Sequence, residues 1–321
     1  MTPIRASVVL LTYNQEAFVA EALQSLLDQD IDDLEIVVSD DASKDKTWDA
    51  VSELAQAYAG PKRIILNRNP HNMGIGANYA KAFALSTGDV IFSAAGDDVS
   101  LPSRCSDTLA AWVQAGMAPD LVATDALDMA VSGDVVGVKT MDDVQDWGLE
   151  AWFVRRPYHF GASHMMTRRM LAINALRHDL HAEDQCLMFR ALLMGGALRV
   201  AKPLVKHRQN GVSYKPKPTT YALKKAKFIR DAQAALVESA QMLADAACVN
   251  REAEVEAYLA QGVNTHTFML RVLNASSWAD KWQAMMEATG VPLSKRLRFF
   301  VYAAFPWLYM PGMWLKSVLK K

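Results

Sequence analysis

The first hundred residues alternate short β-branched apolar runs with longer segments whose apolar residues recur at helical spacing. Ser7–Leu11 (SVVLL) is a continuous apolar run and reads as a buried strand. In Glu16–Gln29, Phe18, Val19, Ala22, Leu23, Leu26 and Leu27 share one helical face, which predicts an amphipathic helix. The same alternation predicts strands over Glu35–Ser39, Arg63–Leu66 and Val90–Ala94, with helices over Lys46–Tyr58 and Gly76–Leu85 between them. Strand–helix repetition at this spacing implies parallel βαβ units with right-handed crossovers and helices on both faces.

After Leu101 the pattern loosens. It predicts a helix over Thr108–Gly116, a strand over Leu121–Thr124 and a loop-rich stretch to Pro157. Helices over Thr167–Leu176 and Glu183–Met194 and a returning strand over Leu198–Val205 follow. Lys215-Pro216-Lys217-Pro218 interrupts the periodicity and predicts a domain boundary. Beyond Thr220, Ala-rich amphipathic segments predict an all-helical appendage. The expected organisation is an α/β domain over 1–215, in halves 1–102 and 103–215, and a helical region over 216–321.

At 321 residues with 51% hydrophobic and 21% charged positions, the chain has the composition of a folded protein, which excludes disorder. A formal charge of −1 gives no reason to expect a nucleic-acid partner. Three cysteines, Cys105, Cys186 and Cys248, lie far apart without a CxxC pair, which fits reduced thiols in a cytoplasmic setting. The N-terminal apolar run reads as a first strand rather than a signal peptide, and no uninterrupted apolar stretch of about 20 residues predicts a spanning helix.

In open parallel sheets, ligands bind beyond the carboxyl ends of the strands. The polar clusters fall there: Thr12-Tyr13-Asn14 after the first strand, Asp40-Asp41 after the second and Asp97-Asp98 after the fourth. Adjacent carboxylates repel unless a cation or donors relieve them. A hard divalent ion, Mn²⁺ or Mg²⁺, would satisfy Asp97 and Asp98 and bridge to substrate phosphates; a solvated Asp-Asp turn is the plainer alternative. One carboxylate of Asp40-Asp41 is expected to meet a ligand and the other to support the chain, with N-capping of the following helix as the alternative. Tyr13 suits stacking on a base, or a place in the core.

The segments LLTYN, VVSDDASKDKTWD and NRNPHNMGIGANYAKAFALSTGDVIFSAAGDDVSLP resemble, in order and spacing, the family 2 glycosyltransferases with a GT-A fold. HAEDQCLMFRAL resembles that family's acidic motif at a helix start, and LVKHRQNGVS its later Tyr-Arg-x-His segment, so the resemblance runs to about Lys215. It implies a nucleotide-sugar donor bound by 1–102 and an acceptor met by 103–215. Thr12, Tyr13 and Asp41, with Asp40 and Asn14 beside them, would hold the nucleotide. Asp97 and Asp98 would contact ribose and metal, and Arg208 the diphosphate. Asp184 would be the catalytic base, with Glu183 beside it in the substrate site. A carboxylate at a helix start is favoured as an anion by the positive helix end, and both acids could equally be ordinary helix-start residues. Two departures stand out: Ala95-Gly96 precede Asp97-Asp98 where many members carry a further carboxylate, and His207 and Asn210 replace the later tyrosine and histidine. The QxxRW signature of processive synthases is absent, which favours addition of a single sugar. His159, His164, His178 and His181 lack zinc-ligand spacing and are expected at the surface or in hydrogen-bonded core positions. His159 and Trp152 fall where acceptor contacts are expected.

The charge is unevenly placed. Residues 288–321 hold no Asp or Glu and carry +6, leaving −7 for the rest. Lys295–Lys321 combines basic flanks with an aromatic run interrupted by Pro306 and Pro311. Aromatic side chains beside Lys and Arg suit an anionic membrane surface; docking on the chain's own domain or on another subunit is the alternative. The membrane reading implies a peripheral enzyme at the inner face of the cell membrane and a glycan or lipid-linked acceptor, as in bacterial surface-polysaccharide or lipopolysaccharide assembly. Three other classes share parts of this pattern. A receiver-like signalling domain would need a phosphoacceptor Asp after the third strand, where Leu66-Asn67-Arg68 stands. A nucleotidyltransferase would need a Gly-rich basic loop where TYNQEAF stands. A non-catalytic sugar-nucleotide-binding module would share the donor residues.

Overall fold

A computed structural model describes residues 4–209 and 220–309. The chain divides into two compact units, Met1–Tyr214 and Lys215–Lys321.

The first unit opens with β1 (Ala6–Thr12), α1 (Val19–Leu27), β2 (Leu34–Asp40), α2 (Thr47–Ala57), β3 (Arg63–Arg68), α3 (Ile75–Leu85) and β4 (Val90–Ala95). It continues through β5 (Val99–Ser100), α4 (Arg104–Gln114), β6 (Leu121–Met129), β7 (Val135–Lys139) and α5 (Leu149–Val154). A 3-10 turn (Gly161–Ser163), β8 (Met165–Thr167), α6 (Arg168–Leu171), α7 (Asp184–Leu193) and β9 (Ala197–Arg208) complete it. The strands form one sheet in the order β3-β2-β1-β4-β8-β6-β9-β5, with β7 paired to β6. β3, β2, β1 and β4 are mutually parallel, as the βα alternation demands. β8 runs antiparallel to both β4 and β6, and β9 runs parallel to β6.

The parallel half is apolar on both faces because helices cover both, and its central strands therefore lack polar alternation. Val8, Leu10, Ile36, Val38 and Phe92 are fully buried and pack with Val19, Leu23 and Leu26 of α1. Each such side chain contributes roughly 1.5–3 kcal/mol of transfer free energy.

The second half departs from the sequence pattern in several places. The helix expected over Thr167–Leu176 is reduced to α6, and its first expected residue, Thr167, instead ends β8 between β4 and β6. The strand expected over Leu121–Thr124 runs on to Met129, paired with β9 along its length. The stretch read as loop holds β7 and α5. For β8 and the extended β6, pairing with strands distant in sequence overrides a weak local signal.

The second unit holds α8 (Tyr221–Cys248), α9 (Glu252–Asn274), α10 (Trp278–Glu287), α11 (Leu293–Ala304) and a 3-10 turn (Pro306–Leu308). Its core joins Phe268, Val272 and Leu273 of α9 to Met285 of α10 and Phe299, Phe300 and Tyr302 of α11. Among the described residues, no helix is long and apolar enough to cross a membrane. Asn210, Lys215–Pro218 and the end of the basic tail, 310–321, lie outside the described residues.

Candidate active site

The carboxyl ends of β1, β2 and β4 meet because the strands are in register: Thr12 pairs with Asp40, and Leu11 with Ala95. The chain then turns sharply. Asn14 and Ala42 both take left-handed backbone, at φ 51° and 57°, a conformation that costs a non-glycine residue about 1–2 kcal/mol. Hydrogen bonds hold the turns in place. Asn14 N–H donates to Ser43 Oγ at 2.9 Å, and Lys44 N–H donates to Asn14 Oδ1 at 2.9 Å.

The two acids after β2 have different tasks. Asp40 is fully buried and accepts from Thr12 Oγ1 (3.1 Å), Ser43 N–H (3.0 Å) and the Ser43 hydroxyl, with Arg68 Nε 3.6 Å away. It ties β1 to β2. Asp41 faces the other way. Its Oδ1 accepts from Asn69 Nδ2 (2.9 Å) and Met73 N–H (2.8 Å), and its Oδ2 from Gly74 N–H (2.9 Å). These bonds hold the 69–74 loop against the start of α3. Gly74 takes φ 84°, and a Cβ on Gly76 would lie 2.3 Å from the carbonyl oxygen of Arg177. The missing side chain at 76 is what lets the 177–181 segment cross the first turn of α3.

The result is a cleft of about 530 Å³. Thr12, Tyr13, Asp41 and Asp97 line it from the strand ends, with Gly74 and Asn78 from the α3 side. Gly161, His178, His181 and Glu183 close it from the second half. Five of the residues selected from sequence therefore share one cavity: Thr12, Tyr13, Asp41, Asp97 and Glu183. The others fall outside its described lining. Asn14 and Asp40 are spent on the turns. Asp98 sits behind Asp97, buried, accepting the Arg208 N–H at 2.9 Å. Arg208 is buried and outside the cleft lining. Its guanidinium donates to the Asp97 carbonyl (3.0 Å), the Val131 carbonyl (3.0 Å) and Glu21 Oε2 (2.5 Å), and it lies over the Phe18 ring. The side chain joins β9 to α1 and braces the strand end that presents Asp97.

Asp184 opens α7 and accepts its neighbour Gln185's N–H at 2.7 Å. It remains close to the cleft wall, since a Cβ on Gly161 would lie 3.2 Å from the Asp184 Cβ and 3.3 Å from Glu183 Oε1. Burial, then the charge of Asp184, pushes the Glu183 carboxyl up to about 7, and burial raises Asp184 as well. The Glu183 carboxyl is therefore poised to exchange a proton near neutrality, with Asp184 raised above the usual carboxylate range beside it.

Several lining residues escaped the sequence reading. Gln15 Oε1 accepts the Tyr13 N–H at 3.2 Å, and a Cβ on Gly96 would sit 2.4 Å from that oxygen. The Ala95-Gly96 departure thus leaves room for Gln15. His178 and His181 line the cleft through a loop no local signal marked. His159 and Trp152, expected to meet an acceptor, are buried instead. His159 Nδ1 lies 2.9 Å from His164 Nε2, and its Nε2 3.0 Å from Gln185 Nε2, a chain that ties the 3-10 turn to α7. Burial pulls His159 down to about 4 and His164 well below the usual imidazole range, so both are neutral and serve as structure.

A divalent ion fits this site only with help from a substrate. Among the described residues, no group of three or more His, Cys, Asp or Glu side chains is placed to hold one. Asp98 is pushed up to about 7 by burial and then by Asp97, so the pair carries an electrostatic cost that a cation would relieve. One or two carboxylates completed by phosphate oxygens is an arrangement suited to Mg²⁺, and Asp97 in the cleft wall supplies that start.

Residues 7–124 match the model of glycosyl transferase family 2. Over these residues the chain carries a family 2 glycosyltransferase domain. The putative glycosyltransferase EpsE of Bacillus subtilis is 26% identical over 232 residues, 71% of this chain and 81% of that protein. The putative glycosyltransferase EpsH of the same organism is 27% identical over 213 residues, 63% of this chain and 60% of its own length. Among solved structures, S. aureus TarS in complex with UDP superposes with a TM-score of 0.58 at 19% identity, covering 94% of this chain and 81% of that one. Mannosyltransferase PcManGT from Pyrobaculum calidifontis, in complex with GDP-Man and Mn²⁺, reaches 0.53 at 20% identity, covering 96% and 88%. The chain thus has the GT-A fold expected from its sequence. Its sheet is parallel where Thr12, Asp41 and Asp97 project and mixed beyond β4.

Proposed function

We propose that this family 2 glycosyltransferase moves one sugar, with inversion, from a nucleoside-diphosphate sugar to an acceptor hydroxyl. The single observation that carries the reading is the cleft in which Tyr13, Asp41 and Asp97, from the strand ends, face Glu183 across about 530 Å³. Tyr13 offers a ring for base stacking. Asp41, whose oxygens already order the 69–74 loop, retains lone-pair capacity for a base imide N–H, which favours uridine or thymidine donors. UDP in the TarS complex supports that choice, while GDP-Man in PcManGT shows that the fold also serves a purine.

Asp97 would hold Mn²⁺ or Mg²⁺ together with the diphosphate, and Asp98 would support it from behind. When bound, such an ion supplies Lewis-acid neutralisation of the leaving diphosphate. The chain's own residues do the rest. Asp184, with Glu183 beside it, takes the proton of the attacking hydroxyl on the sugar face opposite the diphosphate. Burial raises the Asp184 carboxyl above the usual carboxylate range, which strengthens it as a base as the bond forms. The 1–102 half would bind the donor, 103–215 would meet a glycan or lipid-linked acceptor, and 216–321 would bring the enzyme to an anionic membrane surface, as a peripheral protein of surface-polysaccharide assembly.

The test is transfer from a panel of UDP-, dTDP- and GDP-sugars with Mn²⁺, read as release of the nucleoside diphosphate, alongside nucleotide binding by calorimetry. Asp184→Asn should lower turnover by about 10²–10⁴-fold while nucleotide affinity holds. A chain that binds no nucleotide with or without metal would end the proposal, and nucleotide binding without turnover on any acceptor would favour a binding module.

A further inference from the structure

We infer that the second unit carries a membrane-docking face built on α10 and α11, centred on Trp278 and Trp282. α10 places Trp278, Trp282 and Met286 four residues apart on one stripe, and at 3.6 residues per turn they share a face. All three are exposed, at 55%, 42% and 61%. α11 adds Leu293 and Leu297, again four apart and 60% and 45% exposed. Ring contacts join the two helices. Trp278 stacks on Trp282 at 5.5 Å, and both meet Phe300 edge-on at 6.2 and 5.6 Å. Phe300 leads to Phe305 and then to Trp307, which is 63% exposed.

A soluble surface does not ordinarily gather three exposed tryptophans and two exposed leucines around one aromatic ladder. The charge around it selects the occupant. Lys295 and Arg298 are exposed on α11, which contains no acid. The two acids of α10 are occupied elsewhere: Asp280 closes the capping box with Ser277, and Glu287 pairs with Arg271 at 2.8 Å. Tryptophan rings at headgroup depth, with basic side chains reaching outward beside them, match an anionic bilayer surface. This face rests on the membrane reading given above but places it elsewhere: its centre, Trp278 and Trp282, precedes the Lys295–Lys321 segment in which the sequence concentrates charge. It also needs neither nucleotide nor acceptor, so its failure is separable from failure of the transferase reading.

The experiment is flotation of the full chain with vesicles of phosphatidylcholine and phosphatidylglycerol at 7:3, against vesicles of phosphatidylcholine alone. The chain should float with the anionic vesicles, and added salt should reduce the bound fraction. Joint Trp278→Ser and Trp282→Ser substitution should weaken partitioning by about ten-fold or more. Lys295→Glu with Arg298→Glu should do so comparably. If the tryptophan variant loses its thermal transition, Leu293→Ser with Leu297→Ser tests the same face without touching the ladder. Three results would overturn the inference: no flotation of the wild type, flotation unchanged in the folded variants, or a dimer by light scattering that the same substitutions dissociate while vesicles are ignored.

Discussion

Substituting Asn for Asp41 tests the architecture of the cleft at its most connected carboxylate. Asp41 is 3% exposed and accepts three hydrogen bonds, two on Oδ1 and one on Oδ2. An asparagine has one accepting oxygen. In its better orientation the amide keeps Asn69 and Met73 and turns its NH₂ toward the Gly74 N–H; flipped, it loses two partners instead. The minimum loss is one charge-assisted bond, about 1.5–3 kcal/mol, with a stranded donor whose desolvation alone costs about 1–3 kcal/mol. These overlap, so the expected destabilisation is about 2–3 kcal/mol. In a domain of this size each kcal/mol lowers Tm by about 2–4 °C, which predicts a fall of about 4–12 °C. Asp41→Ala, which strands all three donors, should fall further. The same loop lines the cleft, so nucleotide affinity should weaken beyond what the lost stability explains, measured by calorimetry well below both melting points. An Asp41→Asn protein that melts within about 1 °C of the wild type and binds nucleotide equally well would refute the reasoning.

Other expectations follow from the same geometry. The Glu183 carboxyl sits above its unfolded value, at about 7, because burial and then Asp184 disfavour its charge. Folded protein therefore binds the extra proton between the two values, and this group's stabilising contribution is complete at low pH and lost as pH rises toward about 7. Activity should run oppositely, with kcat/KM rising through an acidic limb near pH 7 that moves in Glu183→Gln; an unchanged limb would assign the proton to another group. Asp97→Asn should abolish the extra thermal stabilisation that Mn²⁺ gives over nucleoside diphosphate alone, and retention of that increment would remove Asp97 from the metal. Gly76→Ala should lower Tm despite the roughly 1 kcal/mol that alanine gains in a helix, because the added Cβ meets a backbone carbonyl at 2.3 Å; a rise in Tm would show that the 177–181 segment yields freely.

The parallel half was readable because its signals are local and strong. An uninterrupted run such as SVVLL can bury itself only between two helical layers, and the helices around it carry their own periodicity. The end of β4 and the acids beyond it followed from the same logic. The second half was less legible for a physical reason. β8 is three residues long, and Met165–Thr167 becomes a strand because β4 and β6 flank it on either side. Arg208 illustrates the limit for side chains. A basic residue at a strand end near two acids suits a phosphate contact, yet its guanidinium is drawn to Glu21 on α1, 187 positions away in sequence.

Residue types and their order therefore settled which segments of the parallel half become strands, which ends carry acids and how basic and aromatic the last helices are, since each depends on neighbours within a few residues. Folding alone decided which acid of each pair faces the cleft. Asp40 and Asp41 are chemically identical, and the left-handed turn at Ala42 and the donors offered by Thr12, Ser43 and the 69–74 loop separate them. Folding alone likewise brought His178 and His181 into one cleft with Thr12, Tyr13 and Asp41, across the gap left by the missing side chain at Gly76, and set Trp278 and Trp282 against Phe300. Such placements depend on hydrogen bonds and close packing between distant segments, which exist only when the whole sheet or helical unit has assembled.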